Sequence, residues 1–346
     1  MTEFQLAYNL LRSALDGGTL HVGYAPIDVS RWWNLFRLMQ RNHVAALTAE
    51  AAASSGMPRE VLIPWLTEKE KAVDWHRHQT GVQEEIVDVM RRHGIETLVL
   101  KGTHTAQYYL QPETREFGDV DLYFFDRHRE ADSIARKVLK VEVTNEAHHH
   151  SRFDYHGVTV ESHYDFVNRH YPSSNRYYEK LLKELSSSRS TLATFEVLFL
   201  LRHMAGHFAA SRNTMRDLVD WTLTCRALQG EVDWQWVQQT VDDYGMRTYV
   251  TILNIIAEKQ LGIALPLQRD NGPDILANTD LVEHDLVYGS VTDHAADGLG
   301  RLTWKMRRWF ACRWKRRLVY SDSELSLLLA SLTSHLGKPR SILHKV

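Results

Sequence analysis

Asp119 and Asp121 stand one residue apart in Gly118-Asp119-Val120-Asp121-Leu122. A strand sends alternate side chains to one face, so the two carboxylates share a face while Val120 and Leu122 take the other. Two like charges a few Å apart repel by roughly 4 kcal/mol at an effective dielectric near 20. A divalent cation offsets that repulsion, and an oxygen-only pair suits Mg²⁺ or Mn²⁺ better than zinc. Asp-x-Asp alone is a weak signal, because it also occurs on solvated loops and edge strands. Its surroundings carry the argument.

Downstream, residues 158–166 alternate so that Glu161, His163 and Asp165 fall on one face. If this run neighbours the Asp-x-Asp strand, Glu161 supplies a third carboxylate to the same metal centre, with Asp165 as its competitor. Upstream, the apolar run Thr97-Leu98-Val99-Leu100 ends in Lys101-Gly102-Thr103. Gly102 would let the backbone approach a triphosphate, with the N–H groups of Thr103 and His104 at a helix start and the Thr103 hydroxyl beside them. Lys101 and Arg115 are cations placed to meet phosphate oxygens, Arg115 through its two-pronged guanidinium.

The elements that must position these groups follow from periodicity. Residues 31–53 and 61–93 have helical spacing, and the second stretch stops at His93-Gly94. The period then shortens at 97–100, a helix is expected over 103–110, a turn over 111–114 and another helix over 126–141. Residues 151–155 and 158–166 read as a hairpin turning at His156-Gly157. Helices return at 192–210, 215–228 and 232–244, then a polar irregular stretch covers 266–279 and a helical tail covers 280–346. In outline this is a small α/β unit, roughly 90–170, set between helical segments, and the expected class is α+β. The expected division is an N-terminal helical region at 1–93, an α/β core at 94–175, a helical domain at 176–265, and a linker with a basic helical tail at 266–346.

Bulk properties exclude several classes. The 346 residues are 44% apolar and 24% charged, as in a globular protein, and the formal charge of -2 gives no steering toward nucleic acid, so DNA is not an expected partner. Cys225 and Cys312 cannot make a disulfide framework, the N-terminus lacks a signal-peptide pattern, and no apolar run is long enough for a membrane span. A cytoplasmic location is expected.

Ordered along the chain, Leu100-Lys101-Gly102, a tyrosine-bearing helix, a proline, Arg115, Gly118-Asp119-Val120-Asp121-Leu122 and Val160-Glu161-Ser162-His163 resemble the uncharacterised nucleotidyltransferase family, part of the DNA polymerase beta-like superfamily. The resemblance covers about residues 30–265, including a helix with His203 and His207 followed by one with Asp217 and Asp220. It implies a small mixed sheet of four to five strands flanked by helices, and Mg²⁺- or Mn²⁺-dependent transfer of a nucleoside monophosphate from an NTP, ATP being expected, to an unidentified acceptor hydroxyl, with release of pyrophosphate. Asp119, Asp121 and Glu161 would hold metal and carry catalysis. Lys101, Gly102, Thr103, Arg115 and Gly118 would contact the nucleotide. Thr103 stands where the superfamily often has Ser, and Gly102 and Asp119 lie 17 positions apart, farther than in compact members. The alternatives are a catalytically silent member that binds nucleotide or a partner, and an adaptor acting through its basic tail.

Other motifs have plainer explanations. His203 and His207 lack the central Glu of a His-Glu-x-x-His zinc motif, and packing or a hydrogen bond to Asp217 is preferred. His148-His149-His150 reads as a surface loop. Residues 301–317 hold eight basic residues interleaved with Trp304, Trp309, Phe310 and Trp314. They could meet anionic lipid or RNA, but an amphipathic helix packing its aromatics on the core has the same composition and is preferred. Asp233 should cap a helix, with Trp236 in the core.

Overall fold

The computed structural model describes residues 2–17, 28–145, 149–168, 172–267, 272–289 and 299–337. Helices α1 (Glu3–Asp16), α2 (Val29–Arg41), α3 (Ala45–Ala53) and α4 (Arg59–Arg92) lead into β1 (Leu98–Val99), the short α5 (Thr103–Ala106), β2 (Asp119–Tyr123), α6 (His128–Ile134), β3 (His150–Tyr155) and β4 (Val158–His163). Then come α7 (Asn175–Ser186), α8 (Leu192–Ala210), α9 (Met215–Ala227), α10 (Trp234–Asp243), α11 (Arg247–Ile256), α12 (Pro273–Tyr288), α13 (Leu299–Ala311), α14 (Arg313–Val319) and α15 (Glu324–Gly337).

The sheet has the order β1-β2-β4-β3. β1 runs antiparallel to β2, β2 parallel to β4, and β3 antiparallel to β4, so the fold is α+β with a small mixed sheet. The β3–β4 hairpin turns on His156 (φ 49°) and Gly157 (φ 78°), two successive left-handed residues as a tight two-residue turn requires. The hairpin follows α6, which lets β4 return alongside β2 in the parallel sense.

The sheet separates two apolar cores. Val120, Leu122 and Phe124 turn to the smaller one, with Phe153, Val158 and Val160 from the hairpin, Val82, Ile86 and Met90 from α4, and Ala131 from α6. Tyr123 turns the other way, into the larger core, with Phe166, Phe195 and Phe199; that core continues from Leu6 in α1 to Leu327 in α15. Asp119 and Asp121 therefore emerge on the side that faces α8.

Several expected boundaries move. The helix expected over 31–53 breaks at Asn42-His43, where His43 has φ 55°. The Asn42 amide there donates to Leu38 O and to Val287 O, both at 2.9 Å, and so ties the end of α2 to α12. A side chain that satisfies backbone carbonyls competes with helix continuation. The helix expected over 103–110 stops at Ala106. The stretch expected to be irregular over 266–279 becomes helical at Pro273, and residues 268–271 lie outside the described residues. Asp233 caps α10 by accepting from Trp236 N at 3.0 Å, but Trp236 is exposed and Val237 is the buried residue. In the basic tail, Lys315 and Arg316 are buried, Lys315 paired with Asp285 at 2.6 Å, whereas Met306 and Phe310 stay exposed. Among the described residues no helix is long and apolar enough to cross a membrane.

Candidate active site

Parallel pairing of β2 with β4 puts Asp121 directly beside Glu161, and Tyr123 beside His163. Asp121 is 1% exposed and lies in a ring of partners. Lys101 Nζ is 3.1 Å from its Oδ2, and His163 Nε2 is 2.9 Å from its Oδ1 and 3.4 Å from Glu161 Oε2. His150 Nε2 adds a contact of 3.3 Å to Glu161 Oε1. Asp119 is half-buried on the same strand face. Asp165, the competing acid, lies beyond the end of β4 and pairs instead with Lys183 at 3.5 Å.

Three carboxylates crowd one Lys and one His, and the protonation preferences reflect it. Burial opposes ionisation of Asp121, but the Lys101 ammonium and the His163 hydrogen bond hold it well below the usual carboxylate range. Burial also opposes the Lys101 and His163 cations. The surrounding acids outweigh it in both, raising Lys101 and lifting His163 to about 9. Burial, then the charge of Asp121, pushes Asp119 up. Asp121 Oδ2 is buried with the Lys101 ammonium beside it. A buried carboxylate oxygen with spare lone pairs, next to two further carboxylates, is the donor set a hard dication takes, so the residues fit Mg²⁺ or Mn²⁺.

The residues expected to meet phosphate are already engaged within the fold. Gly102 has φ 63° and ψ -115°, and a Cβ there would come within 3.2 Å of the Phe117 ring, so only glycine fits. Arg115 does not present its fork to open space. Its Nε and Nη2 grip Asp220, each at 2.8 Å, and its Nη1 donates to Gly102 O at 3.2 Å. Tyr109 OH donates to the same Asp220 at 2.6 Å. The Thr103 hydroxyl donates to Gln83 at 2.7 Å, and His104 N–H to Lys101 O at 3.2 Å. Gly118 is exposed immediately before Asp119.

Two residues had no role in the sequence-based expectation. His163 shares the Glu161 face by period-2 alternation, and that alternation is the signal that brings it to Asp121. Arg216, on α9, donates to Glu116 O at 3.1 Å and feels Asp217 and Asp220, and its charge reaches Asp119. Nothing local marks it out. Asp217 caps α9 through Thr214 rather than bonding to His203. His203 lies 3.4 Å from Lys101 Nζ, and its ring is 4.4 Å from that of His207 and tilted to it by 56°. His148 lies outside the described residues.

Two cavities border this centre. One, of about 310 Å³, is lined by Trp75, His76, Arg115, Phe117, Gly118 and Arg216, together with the fully buried Gln79, whose two amide atoms have no hydrogen-bond partner. The other, of about 270 Å³, is lined by His149, Phe166, Asn168, Arg202, His203 and His207.

No curated protein and no solved structure matches the chain. The model of one family, described as uncharacterised nucleotidyltransferase, matches residues 28–262, a span that takes in both acidic strands, the Lys101-Gly102 turn and the helices carrying His203 and Asp220. With more than half of its length so matched, the chain belongs to the uncharacterised nucleotidyltransferase family.

Proposed function

We propose that the protein transfers a nucleoside monophosphate from an NTP, ATP being the expected donor, to an acceptor hydroxyl, with pyrophosphate as the second product. The observation that carries this is the register of Asp121 against Glu161 across β2 and β4, with Asp119 on the same face and Lys101 3.1 Å from Asp121. Bound at these three carboxylates, Mg²⁺ or Mn²⁺ would supply charge stabilisation for an in-line displacement. In that displacement the acceptor oxygen bonds to the α-phosphorus as the bond to the β-phosphate bridging oxygen breaks. The acceptor proton is taken up by a nearby base, for which Glu161 is the candidate.

The chain's own groups do the positioning, which is where most of the benefit in phosphoryl transfer arises. Lys101 and Arg216 are the cations that border the carboxylates and can turn to phosphate oxygens. Gly102 keeps the turn open to a close approach. Arg115 holds that turn from behind, through Gly102 O, and its own geometry is fixed by Asp220. Thr103 and Gly118 complete the nucleotide side. The two bordering cavities offer separate room for the nucleotide and for the acceptor.

The test is label transfer from α-labelled NTP, and pyrophosphate release, with Mg²⁺ or Mn²⁺ present. The wild-type protein is expected to turn over, and the double variant Asp119→Ala with Asp121→Ala to lose transfer by at least about a thousandfold. Full transfer by the double variant would overturn the metal assignment. Thermal stabilisation by NTP without turnover would instead identify a nucleotide-binding member that performs no transfer.

A further inference from the structure

His150 stands directly opposite His163 in the antiparallel β3–β4 pair, and His149 precedes it. The backbone carbonyl of His149 is fixed by N–H groups of Tyr164 and Asp165 at 3.0 and 3.1 Å, so its ring is held against the other two. The ring centroids lie 4.6 Å (149 to 150), 5.1 Å (150 to 163) and 5.5 Å (149 to 163) apart. One ring nitrogen from each lies within 4.8 Å of the others, and Asp121, Glu161 and His163 satisfy the same criterion. An independent observation points to a ligand: the Nδ1 atoms of His149 and His150 are both buried with no hydrogen-bond partner. Buried polar atoms are normally satisfied, so two adjacent orphans of the same kind call for an occupant.

We propose that His149, His150 and His163, with Glu161 as the oxygen donor beside them, bind a transition-metal dication of the zinc class, at a centre that adjoins the Asp119–Asp121 pair and shares Glu161 with it. The donor set decides the ion. Imidazole suits zinc and its first-row neighbours, whereas Mg²⁺ keeps to oxygen. Three histidines with one carboxylate or water make a four-coordinate zinc site. Zn–N bonds of about 2.0–2.1 Å bring ligand nitrogens to about 3.3 Å from one another. The rings therefore close in from their present spacing by side-chain rotation, with the strand register unchanged. The Glu161 carboxylate lies 3.3 Å from His150 and 3.4 Å from His163, on the border between this centre and the acidic one. Of the histidine triplet near residue 150, expected to be a surface loop, His149 and His150 thus join a cluster in which they are half-buried and His163 is buried.

The probe is Co²⁺, titrated into protein freed of metal with a chelator and followed by its visible absorption. One equivalent is expected to bind, with the spectrum of nitrogen and oxygen coordination, and to be displaced by Zn²⁺ but not by millimolar Mg²⁺. His149→Ala and His150→Ala should each weaken Co²⁺ at least about tenfold, while Asp119→Asn leaves it within about twofold. Unchanged Co²⁺ affinity in both histidine variants, or displacement by Mg²⁺, would overturn the proposal. Should an alanine variant fail to fold, anomalous scattering from a Co²⁺-soaked wild-type crystal decides: a peak among the three rings supports the site, and a peak elsewhere or none rejects it. Nucleotide is absent throughout, so failure here leaves nucleotidyl transfer standing, and failure of transfer leaves this centre standing.

Discussion

Asp121 and Leu122 are neighbours in β2, 1% and 0% exposed, yet they live on opposite faces of the strand and under opposite physics. On the Leu122 side, Val120, Val158, Val160 and Phe153 pack against α4 and α6. Each buried side chain there contributes about 1.5–3 kcal/mol by leaving water, and its chemical identity matters only through volume. On the Asp121 side the same depth of burial costs energy. It is tolerated only because Lys101 and His163 lie within 3.1 Å, and even so the Nδ1 atoms of His149 and His150 stay unpaired. A fold gains little from such an arrangement, because replacing buried ions by packed apolar groups is often neutral or stabilising. One strand therefore carries an apolar face that packs and a charged face that is costly to bury, and substitutions on the two should separate stability from ion binding.

The largest expected effect on stability belongs to the apolar face. Leu122→Ala should cost about 2–5 kcal/mol in urea unfolding while leaving Mn²⁺ affinity within about twofold. A loss of ion binding as large as the loss of stability would mean that the two faces are not independent. A smaller effect is expected at Glu179, a buried acid away from the acidic strands. Its carboxylate accepts from Phe166 N and Val167 N at 2.9 and 3.0 Å, and its nearest cation, Lys183, is 3.9 Å away. Burial, then the charge of Asp165, raises it to about 7. An acid that holds its proton more tightly when folded loses stability as pH rises, because the unfolded chain gives up its proton first. Wild-type stability should therefore fall between about pH 4.5 and about pH 7, and Glu179→Gln should remove that part of the slope. Equal slopes for the two proteins between pH 5 and 7.5 would show that the carboxylate is not destabilised. The contrast with Asp121, held low by a close cation at similar depth, is the point of the measurement.

Legibility in the sequence followed the range of the interaction. The shared face of Asp119 and Asp121 could be read because strand alternation is a local rule, and so could the His156-Gly157 turn that fixes the hairpin. The lengths of α4, α8 and α9 came through periodicity in the same way, whereas the small mixed sheet, expected with four to five strands and found with four, came from the family resemblance. What could not be read depends on pairing across long stretches of chain. Arg115 looked free to bind phosphate because its partner, Asp220, is 105 residues away. Arg216 reaches the acidic face only because α9 packs there. The break between α2 and α3 is held by Asn42 reaching Val287, 245 residues distant. His149 and His150 looked like loop residues because the alternation of the expected hairpin starts only at 151, whereas β3 begins at His150, opposite His163.

The smallest expected effect is the one that bears most directly on the two faces. Asp119 is half-buried, and burial together with Asp121 makes its charged form unfavourable in the folded protein. Asp119→Asn keeps the shape and removes one of three crowded negative charges, so it should stabilise the metal-free protein, by about 0.5–1 kcal/mol, while removing transfer activity. The gain should be seen near neutral pH. It should shrink as pH falls toward the ordinary carboxylate range near 3.8, because the wild-type Asp119 then takes up a proton and loses the charge that the variant lacks. Millimolar Mn²⁺ should reverse the order, stabilising the wild type and leaving the variant nearly unchanged, since an ion that binds only the folded state adds its binding free energy to stability. Urea unfolding of the two proteins with and without Mn²⁺ measures all of this. A variant less stable than the wild type in the absence of metal would mean that the carboxylate face contributes to the fold as the apolar face does, and the division between the two would fail.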